Sequence, residues 1–293
     1  MIKLEGAIPA LITPFTPDNQ IDSEGFRRNI EFTVNGGVSA VVPCGTTGES
    51  ATLSEKEHKH LVDLAVEYSK VPVIAGTGSN NTVESIEYTC HAADSGADAA
   101  LVITPYYNKP SQNGLKAHFE KIADKSSIPI ILYNVPSRTG VDLSVKTIAD
   151  LAQHPNIIGI KEATGNVGKA ADILYATADE EFTLLSGEDI ATLPLLAIGA
   201  TGAISVVADI VPDKMSQMIS SFRKGDTETA CRIHYELVPI MRSLFIETNP
   251  GPIKTACRLA GLAAGGLRSP LAELEPKNLE VLVNDLKALG VLK

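Results

Sequence analysis

The stretch VPVIAGTGSNNTVESIEYTCHAADSGADAALVITPYY, residues 71–107, carries the reading that decides the fold. Residues 71–75 and 99–103 are short Val-, Ile- and Ala-rich runs, apolar at consecutive positions, as parallel strands covered on both faces require. Between them residues 82–95 keep a helical period, and Asn81-Thr82 ahead of Glu84 marks the helix start. Strand, helix and strand in one stretch make a βαβ unit. The Gly76-Thr77-Gly78 triplet is half of a dinucleotide fingerprint, lacks the third glycine, and does not argue for nucleotide binding.

The same alternation extends in both directions. Further strand-like runs lie at 7–12, 39–43, 129–133, 157–160, 183–185 and 203–206, and further helical stretches include 54–69, 114–126 and 145–153. Ser54 with Glu57 three residues on, and Leu143-Ser144 before a periodic run, are start signals. Eight such units, repeating about every 30 residues, predict an α/β fold of the (β/α)8 TIM-barrel type rather than an open doubly wound sheet. An open sheet would carry a Gly-rich loop after its first strand, where this chain has LITPFTP at 11–17. From Pro212 onward only helices are expected, at 213–224, 226–245, 253–260 and 276–289. They are interrupted by Asn249-Pro250-Gly251-Pro252 and by the Gly/Ala-rich residues 261–266. We therefore expect a catalytic barrel over 1–224 and a C-terminal helical region over 225–293 packed on it.

Composition narrows the function classes. The chain has 293 residues, 44% hydrophobic and 20% charged, with a formal net charge of −10. That charge argues against a nucleic-acid partner, since phosphate binding needs a basic face, but leaves small anionic metabolites open. The N-terminus lacks the apolar region of a signal peptide, and no apolar run nears the roughly 18 residues of a membrane span, so a cytoplasmic protein is expected. Cys44, Cys90, Cys231 and Cys257 are scattered and read as reduced thiols. His58 and His60, two apart, point to different faces of a helix, and no metal site is expected.

In a barrel of this kind, polar residues at the C-terminal ends of strands line the active site. Those ends read Gly45-Thr46-Thr47-Gly48-Glu49, Thr104-Pro105-Tyr106-Tyr107, Tyr133-Asn134 with Arg138 beyond, Lys161-Glu162, and Ser186-Gly187-Glu188. Lys161 follows the buried run 157–160, where desolvation disfavours the charged amine and frees it to attack a carbonyl. A strand-end lysine paired with Glu162, or reaching to solvent, is the structural alternative. The Gly45–Gly48 loop offers backbone N–H groups and two hydroxyls to a carboxylate, or is an ordinary strand–helix turn. Tyr107 and Tyr133 are proton donors or packing residues. Arg138 is a bidentate carboxylate clamp or one half of a surface ion pair.

Taken together, these stretches resemble the 4-hydroxy-tetrahydrodipicolinate synthase (dihydrodipicolinate synthase) family of pyruvate-dependent, Schiff-base aldolases and lyases. The resemblance spans essentially the whole chain. It rests on the motifs Gly45-Thr46-Thr47-Gly48-Glu49-Ser50, Ile103-Thr104-Pro105-Tyr106-Tyr107-Asn108 and Tyr133-Asn134-Val135-Pro136-Ser137-Arg138-Thr139-Gly140. Gly159-Ile160-Lys161-Glu162-Ala163-Thr164-Gly165 and Leu185-Ser186-Gly187 complete it. It implies that Lys161 forms the imine with pyruvate and that the pyruvate carboxylate sits on the Thr46-Thr47 loop. It also implies that Tyr133 shuttles protons in a relay with Thr46 and Tyr107, with Tyr107 reaching a neighbouring subunit's site. Arg138 would bind the carboxylate of aspartate semialdehyde, and Gly187 and Ile204 would wall the pyruvate pocket. The resemblance implies no metal or organic cofactor, and a homo-oligomer, a tetramer built as a dimer of dimers. It further implies a lysine-inhibitor cleft matching Ser50, Ala51, Glu55, His58, Asn80, Glu84 and Tyr106.

The nearest alternative is a lyase of the same superfamily acting on a 2-keto-3-deoxy sugar acid or N-acetylneuraminate. Arg138 within Ser137-Arg138-Thr139-Gly140 favours a small acid over a polyol, which would not need that cation. A non-catalytic, ligand-sensing barrel would require loss of the nucleophile, and Lys161 is present.

Overall fold

The computed structural model describes residues 2–293 and forms two compact units. One comprises Pro72–Ile204 with the N-terminal residues up to Glu5, and the other comprises Gly6–Val71 and Ser205–Lys293. In chain order the elements begin β1 (Gly6–Pro9), α1 (Ser23–Asn35), α2 (Glu55–Tyr68), β2 (Ile74–Gly76), α3 (Thr82–Ser95), β3 (Ala99–Ile103), α4 (Gln112–Lys125) and β4 (Ile130–Asn134). They continue α5 (Pro136–Thr139), α6 (Val145–Ala152), β5 (Ile157–Glu162), α7 (Val167–Ala176), β6 (Thr183–Ser186), α8 (Thr192–Ala197) and β7 (Gly202–Ser205). The chain closes with α9 (Pro212–Arg223), α10 (Thr227–Ser243), α11 (Gly251–Leu259) and α12 (Pro276–Ala288). This order and its parallel pairing are those of an α/β fold of the (β/α)8 type with a C-terminal helical extension.

In the first unit each strand from β2 to β7 pairs in parallel with the next. Tyr133 stands opposite Lys161, and Asn134 opposite Glu162, across β4 and β5. Because successive side chains alternate faces, Tyr133 and Lys161 share one face while Asn134 and Glu162 share the other. The core on the helix-facing side joins Leu132 and Ile160 to Leu115, Phe119, Ile122, Ile148, Leu151 and Ile173, all fully buried. Each such side chain contributes about 1.5–3 kcal/mol by leaving water. Helix starts follow the expected signals: Asn81 caps α3 by accepting from Val83 N–H at 3.0 Å, and Ser144 caps α6 through Thr147 N–H at 3.1 Å.

In the second unit β1 pairs with the run 39–42 through Ser39 N–H to Ala7 O, Val42 N–H to Pro9 O and Leu11 N–H to Val42 O, at 2.9–3.0 Å. The strand expected at 39–43 is thus hydrogen-bonded, yet it amounts to bridge residues at Val41 and Val42, the latter paired with Ala10, rather than a full strand. Pro43 has no N–H to donate, and Cys44 turns the backbone left-handed at φ 56°. Met215, Met218 and Ile219 of α9, and Ile233, Leu237 and Ile240 of α10, are buried, α9 packs on β1, and α10 packs against α9 and α12.

Two boundaries differ from expectation in ways that matter. The strand expected at 157–160 runs on to Glu162, so Lys161 lies inside β5 rather than past its end. Helix α11 begins at Gly251 instead of 253, with Pro252 in its first turn, where a missing N–H costs nothing. Among the described residues no helix is long and apolar enough to cross a membrane.

Candidate active site

Lys161 is 6% exposed and Tyr133 7%. The Lys161 Nζ stands 4.3 Å from the Tyr133 ring centroid, a consequence of their opposed positions on neighbouring parallel strands. Among the described residues no carboxylate lies within ion-pair distance of this amine.

Glu162, the obvious partner in sequence, faces the other way and is fully engaged there. Its Oε2 accepts from Asn134 Nδ2 at 2.9 Å and faces Lys169 Nζ at 3.6 Å, while Oε1 accepts from Thr164 N–H at 2.8 Å. Asn134 also donates to Asp142 Oδ1 at 2.8 Å and accepts from Leu143 N–H at 3.0 Å. Lys169 completes the ring of contacts by donating to Asp142. The pairing of Lys161 with Glu162, the structural alternative considered from sequence, is therefore excluded by the pleat.

Gly187 is required for Lys161 to lie as it does. A Cβ at this position would stand 2.7 Å from the Ala163 Cβ and 2.9–3.0 Å from Lys161 Cγ and Cε. Its N–H donates to Glu162 O at 2.8 Å, which fixes the turn out of β6. The adjacent Glu188, given no role from sequence, has its carboxyl pushed up by burial and by the Asp189 charge, with the Lys161 cation opposing both. Ile204 is buried in β7.

Arg138 is exposed on the short helix α5, whose N–H groups at Arg138 and Thr139 both bond Val135 O. Gly140 closes that helix at φ 73°, and Lys109 folds over it: a Cβ there would lie 2.8 Å from Lys109 Cε. Tyr107 is 89% exposed and held in left-handed backbone at φ 72°. The structure therefore brings Lys161, Tyr133 and Gly187 together and leaves Tyr107 presented to the outside.

Thr46 and Thr47 belong to the second unit. There the turn is closed by Gly48 N–H and Ser50 N–H to Gly45 O, and by Glu49 N–H to Thr46 O. Among the described residues the Thr46 and Thr47 N–H groups donate to no backbone carbonyl, as a carboxylate cradle requires. Thr47 is buried, and its Oγ1 accepts from Asn249 Nδ2 at 3.0 Å. Asn249 was missed from sequence, because nothing local links it to a loop some two hundred residues away.

The residues matched to an inhibitor cleft fall into two groups. In the first unit Asn80 O and Tyr106 O both accept from Asn108, at 2.9 Å each, and Glu84 accepts from Ser79 Oγ. In the second, Ser50 and Ala51 form a single 3-10 turn ahead of α2, on which Glu55 pairs with Lys59 at 2.6 Å and His58 is buried.

Comparison with known proteins is consistent across three measures. A family model described as the Dihydrodipicolinate synthetase family matches residues 3–289. The 4-hydroxy-tetrahydrodipicolinate synthase of Methanosarcina acetivorans is 61% identical over 289 residues, covering 99% of each chain. A crystal structure of dihydrodipicolinate synthase matches with a TM-score of 0.95 at 48% identity, covering 99% of this chain and 100% of that one. The structure of the synthase from Cyanidioschyzon merolae with lysine bound matches with a TM-score of 0.94 at 39% identity, over 98% and 99% of the two chains.

Proposed function

We infer that this chain, which belongs to the dihydrodipicolinate synthetase family, condenses pyruvate with L-aspartate-4-semialdehyde to give 4-hydroxy-tetrahydrodipicolinate. This is the first committed step of diaminopimelate and lysine biosynthesis. The observation that carries the reading is Lys161: a buried amine over a tyrosine ring, with its neighbouring carboxylate turned to the opposite face.

In this reading the unprotonated Lys161 amine adds to the pyruvate ketone, and the carbinolamine loses water to give the imine. The cationic imine draws electrons from the methyl group, whose proton leaves through the Tyr133 phenol. The resulting enamine carbon bonds to the aldehyde carbon of the second substrate, and the aldehyde oxygen takes up a proton. The substrate's own amine then attacks the imine carbon, expels Lys161 and closes the ring. Thr46 and Thr47 hold the pyruvate carboxylate through N–H and hydroxyl donors, and Arg138 clamps the carboxylate of the second substrate. Thr46 and Tyr107 extend the proton relay from Tyr133. Gly187 and Ile204 wall the pyruvate pocket.

Residues 1–224 supply the catalytic barrel and 225–293 the helical region, and the enzyme works in the cytoplasm. Tyr107, exposed on strained backbone, serves a second subunit, which calls for a dimer at least and, we infer, a tetramer. Lysine inhibits through Ser50, Ala51, Glu55, His58, Asn80, Glu84 and Tyr106, a reading supported by the lysine-bound C. merolae relative.

Borohydride reduction in the presence of pyruvate, followed by peptide mass analysis, should place one adduct on Lys161. Condensation with aspartate semialdehyde should proceed, while N-acetylneuraminate and 2-keto-3-deoxygluconate are not cleaved. Turnover of a sugar acid alone would overturn the assignment.

A further inference from the structure

The second unit contains a buried lysine with no part in the chemistry above. We propose that Lys254 is a positioning residue for pyruvate binding: through Glu49 it pins the Thr46-Thr47 loop in the shape that receives the substrate carboxylate. The proposal rests on the reading of that loop given above.

Glu49 follows the cradle directly and sits in left-handed backbone at φ 56°, a conformation that residues other than glycine seldom adopt. Such a geometry persists only where the surroundings over-determine it. Here both carboxylate oxygens are held: Oε1 by Lys254 Nζ at 2.6 Å, and Oε2 by the Arg268 N–H at 3.0 Å. Lys254 is itself fixed, donating to Gly266 O at 2.6 Å and lying 4.2 Å from the Phe15 ring centroid. Both side chains of the pair are essentially without solvent contact. The backbone ties are local in sequence: Glu49 N–H bonds Thr46 O at 3.1 Å, and Gly45 O accepts from Gly48 N–H at 3.1 Å and Ser50 N–H at 3.4 Å. Moving Glu49 therefore moves Thr46. The same C-terminal segment grips the loop a second time, where Asn249 Nδ2 donates to Thr47 Oγ1 and leaves the Thr47 hydroxyl proton free to point elsewhere.

A buried ion pair is poor evidence of stabilisation, because two desolvated charges often gain no more than well-packed apolar groups would. Burial pushes the Lys254 amine below its usual pKa, and the hydrogen bond and charge of Glu49 offset only part of that. What the pair supplies that an apolar pair could not is a directed hold on one loop residue.

The test uses the full chain with Lys254→Met, Lys254→Arg and the double variant Glu49→Gln/Lys254→Met. The double variant removes both buried charges together, so neither is orphaned and folding is kept. Steady-state kinetics give KM for each substrate and kcat, borohydride trapping gives the pyruvate dependence of imine formation, and melting reports the fold. The expected result is a pyruvate KM raised about tenfold in the double variant, with KM for the aldehyde within about twofold of the parent. Trapping at saturating pyruvate should still reach completion, and Lys254→Arg should fall between parent and double variant. A folded double variant, or Lys254→Arg, with the parent's pyruvate KM would overturn the positioning role. Failure of the unmodified chain to trap pyruvate would instead overturn the functional reading beneath it.

Discussion

Lys161 stands 4.3 Å from the Tyr133 ring in one unit, and Lys254 stands 4.2 Å from the Phe15 ring in the other. Both lysine side chains end buried in aromatic company, yet their electrostatic surroundings differ. Lys254 is satisfied by a carboxylate and a carbonyl, each at 2.6 Å, whereas Lys161 makes no ion pair among the described residues, the Glu188 carboxyl acting on it only through space. The difference comes from backbone geometry more than from composition, since each lysine has a glutamate close at hand. Glu49 reaches Lys254 across the fold. Glu162, next in sequence to Lys161, is carried by the pleat to the opposite face and bound there by Asn134 and Lys169. A paired buried lysine holds structure; an unpaired one is available as a nucleophile.

The sharpest break of this contrast comes from removing each amine. Lys161→Met should lower kcat/KM on the order of 10³-fold or more while leaving urea-unfolding stability nearly unchanged. Lys254→Met should do the reverse in stability, costing about 3–5 kcal/mol by orphaning Glu49. Equal destabilisation by the two would end the distinction. Next in size, Tyr133→Phe keeps the ring under Lys161 but removes the phenol, and stopped-flow measurement should find enamine formation slowed about 10²–10⁴-fold. Gly187→Ala forces a methyl against Lys161 and Ala163. It should cost about 1–3 kcal/mol in chemical denaturation and slow imine formation, with the fold retained.

Effects of that size and smaller lie in pH dependence and separate the two units. In the first, burial pushes the His118 imidazole down from 6.5 to about 4, with Nδ1 on Thr82 and Nε2 unpartnered. A depressed histidine stabilises the fold above its unfolded pKa. That contribution is lost as pH falls from 6.5 towards 4, because only the unfolded chain takes the proton. In the second, the Arg268 guanidinium holds the Glu57 carboxyl down from 4.5 to about 2, so its contribution is lost only in that lower window. Urea titrations at a series of pH values should show His118→Gln flattening the upper window by about 1–3 kcal/mol. Glu57→Gln should flatten the lower one by about 1 kcal/mol, since solvent screens a partly exposed pair. Both variants altering the same window would contradict the assignment.

Much of this was legible in the residues themselves. The strand runs at 99–103 and 157–160, and the capping signals at Ser54, Asn81 and Ser144, were readable because consecutive apolar residues and side-chain caps are local properties. The strand at 39–43 was read too strongly, since apolarity cannot report that a proline and a left-handed turn cut the ladder short. Lys161, Tyr133, Arg138 and the Thr46-Thr47 loop could be singled out as candidates because strand ends in a barrel have a known direction. Gly187 was marked only by resemblance; the clearance it provides to Lys161 is visible only in space.

By itself, then, the amino-acid order determined the alternation of strand and helix, the helical C-terminal run, and which polar residues close each strand, all consequences of short-range periodicity and capping. Only the tertiary structure decided which buried lysine would be paired. That choice turns on register across β4 and β5 for Lys161 and on a meeting of residues 49, 254 and 268 for Lys254. Neither leaves a trace in local sequence, because a charge's environment is set by groups that the chain brings together only once it has folded.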